Sequence, residues 1–134
     1  MLRDTLVSSV VVLPTRSPKT RCGNLWTEAR FWQFLRSALR RSYTRWPAQY
    51  QARNDARRPY CGASKKQKWE YQCATCKQWW PAKATELHHI VPVGSLKSYD
   101  DLPGFVERLF CEKEGLQVVC RECHKGITKE QRAK

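Results

Sequence analysis

Apolar residues recur at helical spacing between Thr27 and Trp46, where Phe31, Phe34, Leu35, Ala38 and Leu39 make one stripe. Arg30, Arg36, Arg40, Arg41 and Arg45 occupy the other positions. Asn24 or Thr27 can cap this helix, Glu28 suits its first turn, and Pro47 ends it. A second short helix is expected over Ala48 to Arg57, with Tyr50, Ala52 and Ala56 available for packing. From Cys73 the pattern changes to short strands and tight turns, after a basic loop at Gly62–Lys68. Trp69 to Gln72 reads as a strand, and Lys77 to Trp80 with Thr85 to Val91 as a hairpin turning through Pro81-Ala82-Lys83. A helix capped by Asp100 or Asp101 is expected from Pro103 to Glu112, with Phe105, Val106, Leu109 and Phe110 inward. Gly115 breaks it, Leu116 to Val119 forms a strand, and a last helix runs from Arg121 to Arg132. The fold class is α+β.

At 134 residues the chain suits one compact domain, or a small domain with an appendage. Residues 1–23, punctuated by Pro14, Pro18 and Gly23, read as a flexible basic arm. Residues 24–66 form a basic helical region, and residues 67–134 carry all three histidines and most of the cysteines. The net charge of +13 is uneven. Residues 1–70 hold 15 Lys/Arg against 4 Asp/Glu, and residues 71–134 hold 10 against 8. A polyanion is therefore expected at the front half, with nucleic acid ahead of an acidic membrane surface. No stretch approaches the ~20 apolar residues of a membrane span. The run Val10 to Leu13 lacks the flanks of an export signal, because Asp4 offsets Arg3 and Ser8 and Ser9 interrupt the apolar stretch.

Four of the seven cysteines form two Cys-x-x-Cys pairs, Cys73/Cys76 and Cys120/Cys123, separated by 43 residues. Each pair can present two thiolates to one face of a metal, so the two together fit a tetrahedral structural Zn²⁺ site. This usage points to a reducing compartment, the cytoplasm. A redox role would not need the motif twice, and the thioredoxin-like βαβ pattern is absent. His88 and His89 are neighbours on an expected strand, so their side chains point to opposite faces. His124 directly follows the second cysteine pair at the start of a helix. A strand-borne and a helix-borne histidine can share one divalent ion and leave positions open for water and phosphate.

At these residues the sequence resembles the HNH endonuclease family and its ββα-metal core. The resemblance is carried by the two Cys-x-x-Cys pairs, Leu87-His88-His89-Ile90-Val91-Pro92, the run Leu116 to His124, and Thr128. It covers residues 69–130. Flanking segments such as Arg57-Arg58-Pro59 and Leu102-Pro103-Gly104-Phe105 look like small phage-encoded members. The resemblance implies an α+β fold with a ββα-metal core stapled by a four-cysteine zinc site. It implies phosphodiester hydrolysis of DNA, with His89 as general base and His88 and His124 as ligands of a catalytic Mg²⁺, Mn²⁺ or Zn²⁺. Cys73, Cys76, Cys120 and Cys123 match the structural zinc ligands. Neutral imidazole is a base near neutral pH, which suits proton abstraction from water. The sequence departs from the family pattern at Gly115, where the middle Asn usually stands, and at Ile127, where Lys is usual. Gly115 favours the alternative of a catalytically weak or inactive zinc-stabilised DNA-binding accessory protein.

Arg36, Arg40, Arg41, Arg57, Arg58, Lys65, Lys66 and Lys68 are the candidate nucleic-acid contacts, since a guanidinium fork matches phosphate oxygens and the Gly62–Lys68 loop is basic. Each also has the plainer reading of a solvated face or linker. DNA is the expected partner, with no membrane, and a homodimer or other phage proteins as further partners. The expected location is the cytoplasm, that of the host cell if the chain is phage-encoded.

Overall fold

Thr27 starts the first long helix, α1 (Glu28–Tyr43), by accepting a 3.1 Å hydrogen bond from the Arg30 amide onto its hydroxyl. Glu28 in the first turn and Arg40 and Arg41 in the last complement the helix dipole. Thr44 ends the helix, its hydroxyl donating to the Arg41 carbonyl at 2.7 Å. Pro47 then opens α2 (Pro47–Asp55), where its missing N–H costs nothing. The computed structural model describes residues 16–133, and among them the chain forms four helices and three small antiparallel sheets, a mixed α+β fold. The last two helices are α3 (Leu102–Leu109) and α4 (Arg121–Ala133).

Residues 1–15 of the expected basic arm, with the Val10–Leu13 run, lie outside the described residues. The rest of that arm is tied down. Strand β1 (Lys19–Arg21) pairs with β2 (Trp26–Thr27) across a turn in which Cys22, Gly23 and Asn24 have φ of 55°, 62° and 67°. Arg21 pairs with Glu28 at 2.7 Å, donates to the Tyr99 hydroxyl at 3.2 Å and lies over the Phe31 ring. A basic residue expected to be free is thus a fastener between the front of the chain and the loop before α3.

The second sheet orders β3 (Arg57–Pro59), β4 (Trp69–Gln72) and β5 (Trp79–Trp80). The third pairs β6 (Thr85–His89) with β7 (Leu116–Cys120). The expected hairpin between Lys77–Trp80 and Thr85–Val91 does not form. The first cysteine pair lies in the β4–β5 turn, where the Cys73 amide bonds Gln78 O at 2.9 Å and the Lys77 amide bonds Cys73 O at 3.0 Å. Lys77 takes a left-handed φ of 65° to make this turn. With β5 already paired to β4, the helical turn Ala82–Ala84 carries the chain to β7 instead.

One core cluster joins the front and back of the chain. Trp32 of α1 is buried with Val93, Leu96, Phe105 and Leu109, and Phe31, Leu35, Leu39 and Tyr43 pack around them. The expected stripe was right for Phe31, Leu35 and Leu39 but misplaced Phe34, which is 51% exposed, and omitted Trp32, which is 3% exposed. A smaller cluster sets Ala48, Ala52 and Leu116 together, so α2 covers the outer face of β7. Tyr50, expected to pack, is 56% exposed. Asp101 precedes α3 without a side-chain capping bond, and its carboxylate accepts from the Lys97 amide at 3.0 Å instead.

Trp32→Ala is expected to cost ~3–5 kcal/mol through the cavity it leaves. Phe34→Ala should cost less than about 1 kcal/mol, as an exposed substitution does. Urea unfolding of the two variants at saturating zinc checks the contrast, and equal losses would refute this placement of the core.

Candidate functional site

The alternation of β6 sorts its side chains between two environments. Glu86 and His88 face α4, while Leu87 packs in the α2 cluster and His89 meets α1 and α3. The register His88↔Gln117 and His89↔Leu116 fixes that choice.

The cysteines expected to share a metal do come together. One sulfur from each of Cys73, Cys76, Cys120 and Cys123 lies within 4.8 Å of all the others, and Cys76 Sγ and Cys120 Sγ are 4.0 Å apart. Four thiolates at ~2.3 Å from a zinc ion sit at roughly this spacing. The donor set and its compactness fit zinc. Backbone supports the sulfurs as well, since the Thr75 and Cys76 amides point at Cys73 Sγ at 3.4 and 3.5 Å. Burial pushes the Cys73 thiol up, but the amides of Cys76, Cys120 and Thr75 and the Cys76 side chain outweigh it and bring it down to about 6. Hydrogen bonding to Cys120, burial, and bonds to Cys73 and Cys76 push Cys123 up to about 12. Cys73 is therefore biased toward the thiolate and Cys123 toward the thiol, and a bound cation would supply charge that favours thiolates in so small a space. The cluster buries Cys73 and Cys120 with Val119, and Trp80 and Ile127 pack around it. The other three cysteines, Cys22, Cys61 and Cys111, are free thiols outside the cluster.

β7 ends at this cluster and α4 begins there, which delivers His124 beside His88. The two rings lie 5.5 Å apart, centroid to centroid, at 73°. His124 Nδ1 lies 2.5 Å from Glu86 Oε2. A carboxylate only accepts, so Nδ1 carries a proton, and in the neutral ring Nε2 is the nitrogen with the lone pair. Carboxylate–imidazole pairs of this kind orient metal-binding histidines. Burial, and then the neighbouring His124 and His89, lower the pKa of His88, which keeps it in the neutral, ligand-competent form. Glu86 was not anticipated, although its position two residues before His88 places it on the same strand face.

His89 is held from the other side. Its Nε2 lies 3.0 Å from the Leu109 carbonyl, and its ring lies 5.0 Å from that of Tyr43. The carbonyl can only accept, so Nε2 bears the hydrogen and Nδ1 is the basic nitrogen. A backbone carbonyl thus orients this imidazole. Gly115 bonds through its own carbonyl to the Ile90 amide at 2.9 Å, and a Cβ on it would meet Cys111 Sγ at 3.0 Å. Asparagine there would crowd Cys111. His88, His89 and His124 line one cleft of about 210 Å³ together with Arg40, Val93 and Gly94.

The expected basic residues fall into different places. Arg40 is exposed and reaches the histidine cleft. Arg36 instead donates to the Leu96 carbonyl at 2.8 Å and ties α1 to the loop after β6. Arg41 lies in a groove away from the histidines. Arg57 and Arg58 lie 3.9 Å over the rings of Trp69 and Trp79, and Arg58 also pairs with Glu70 at 2.6 Å. Lys65, Lys66 and Lys68 are exposed in the β3–β4 connection. Among the described residues no helix is long and apolar enough to cross a membrane.

Comparison with models of protein families, with curated proteins and with solved structures found no match.

Cys73→Ser is expected to lower bound zinc from about one equivalent to well below one and to reduce the melting temperature, since a structural zinc contributes ~10–16 kcal/mol of apparent binding energy. Cys61→Ser, at an exposed thiol, should change neither. Elemental analysis of gel-filtered protein, paired with thermal unfolding, measures both.

Proposed function

We propose that this chain is a metal-dependent DNA endonuclease of the HNH type, built on a ββα-metal core and stapled by a structural zinc on Cys73, Cys76, Cys120 and Cys123. The observation that carries the reading is the convergence of His88, His89, His124 and Arg40 on one cleft. Neutral His88 and a His124 oriented by Glu86 are fit to hold a divalent ion. That ion, when bound, supplies Lewis-acid stabilisation of charge on the phosphate and on the leaving 3′ oxygen. His89 Nδ1 takes the proton from the attacking water, and the Leu109 carbonyl keeps the imidazole in the tautomer this requires. Arg40 offers its guanidinium to a phosphate oxygen at the cleft mouth. Arg57, Arg58, Lys65, Lys66 and Lys68 give the basic surface for flanking backbone, and binding should weaken with salt. The reading places the protein in the cytoplasm, that of the host for a phage-encoded chain, with a homodimer or a further phage protein as the route to cutting both strands.

A second reading, a zinc-stabilised DNA-binding accessory protein without turnover, draws on Gly115. The Leu109 carbonyl weighs against it, because it orients the His89 ring whatever residue stands at position 115.

Nicking of supercoiled plasmid over a series of Mg²⁺, Mn²⁺ and Zn²⁺ tests the proposal. His89→Ala should lower the rate by ~100-fold or more while leaving zinc content and duplex affinity in place. Undiminished cutting by that variant would remove His89 as the base, and absence of cutting by the natural chain with every ion would favour the accessory reading. Glu86→Gln should weaken divalent-ion activation by roughly 10–100-fold, seen as a rise in the metal concentration for half-maximal rate.

A further inference from the structure

Helix α1 has a second organised surface, on the side away from the core. At 100° per residue, Phe31, Trp32, Leu35 and Leu39 share the core-facing side, and Arg30, Gln33, Phe34, Ser37 and Arg41 fall on the opposite one. That side of an amphipathic helix is ordinarily polar. Here Phe34 is 51% exposed, and Trp26 of β2 packs against it edge-on with ring centroids 5.2 Å apart. The Arg30 guanidinium lies 4.8 Å from the Trp26 ring centre. Together with Gln33, Ser37 and Arg41 these residues line a groove of about 380 Å³. No carboxylate lines it, and among the described residues neither Arg30 nor Arg41 forms a salt bridge.

The groove therefore combines the exposed Phe34 ring in its middle with an arginine toward each end, their backbone positions about 16 Å apart along the helix axis. Aromatic rings between unpaired guanidinium groups are the means by which proteins hold unpaired bases and their phosphates. Duplex DNA keeps its bases stacked and would engage the arginines alone. An acidic peptide would likewise satisfy the arginines and leave the rings uncovered. We propose that this groove is a binding site for single-stranded nucleic acid, in which an unpaired base stacks on the exposed face of Phe34 beside the edge-on Trp26 while Arg30 and Arg41 take phosphates of the strand on either side. It is separate from the histidine cleft, which Arg40 reaches from the neighbouring position on the same helix. The site goes beyond the cleavage reading and stands whether or not His89 performs chemistry.

The test uses the full-length zinc-loaded protein without added Mg²⁺ or Mn²⁺. Fluorescence anisotropy is read with a labelled oligothymidine strand and with a labelled duplex of equal length. Phe34→Ala should weaken single-strand binding about tenfold and duplex binding by less than about twofold, whereas Phe34→Tyr, which keeps a ring, should retain single-strand affinity. Replacing Arg30 and Arg41 together by Gln should reduce the salt dependence of single-strand binding by ~1.4 in log–log slope, the loss of two phosphate contacts. Single-strand affinity unchanged by Phe34→Ala overturns the proposal, as does displacement of the strand by polyglutamate at equal charge concentration. Absence of single-strand binding alongside intact duplex binding overturns this site alone. Loss of duplex binding with single-strand binding retained counts against the endonuclease reading and leaves this site standing.

Discussion

The register between two five-residue strands governs the whole histidine site. Because side chains alternate along β6, a slip of one residue against β7 would send His88 toward the α2 cluster and His89 toward α4. Two features pin the register from opposite ends. At one end Cys120 closes β7 and enters the four-sulfur cluster with Cys73 and Cys76 from the β4–β5 turn. At the other, the Ile90 amide bonds the Gly115 carbonyl, and Lys113 nearby pairs with Asp55 at the end of α2. The pairing between them then has one arrangement that buries Leu116, Val118 and Val119.

The sequence carried the local chemistry of this region more fully than its connections. The two Cys-x-x-Cys pairs, the opposed faces of His88 and His89, and the placement of His124 at a helix start were all legible from spacing. So were the bounds of β4 and the burial of Phe105 and Leu109. The strand partners were not. Nearness in the chain suggested a hairpin between β5 and β6, but the turn formed by the first cysteine pair had already given β5 to β4. Trp32 was hidden because the periodicity of α1 admits two aromatic faces, and only the position of Leu96 and Phe105 decides which is inside. Glu86 was in reach by the same two-residue step that separates it from His88. The Leu109 carbonyl was not, because a main-chain acceptor leaves no mark on residue type.

Net charge is distributed between structural and free positions. The surplus at the front of the chain suggested a broad phosphate-facing surface, yet several of its arginines have structural partners. Arg21 fastens β1 to Glu28 and Tyr99, and Arg36 holds the Leu96 carbonyl. Arg58 is paired with Glu70 and stacked on Trp79. The cations left without such ties include Arg41 on the exposed side of α1 and Lys65, Lys66 and Lys68 in the β3–β4 connection. A count of basic residues therefore overstates how many of them can meet a polyanion, and their positions on the two sides of α1 matter more than their sum.

The hydrogen bond from His89 to the Leu109 carbonyl has a wider consequence. Helix α3 ends at Leu109, and that residue is also fully buried in the cluster that holds Trp32. The orientation of an imidazole in the cleft is thereby written into the packing of a hydrophobic core, rather than into any polar residue beside it. Side-chain scanning cannot delete such an acceptor; it can only displace it. Substitutions deep in the core, chosen for stability alone, would then shift the orientation of that imidazole, and a search for the orienting residue by its chemistry would return nothing.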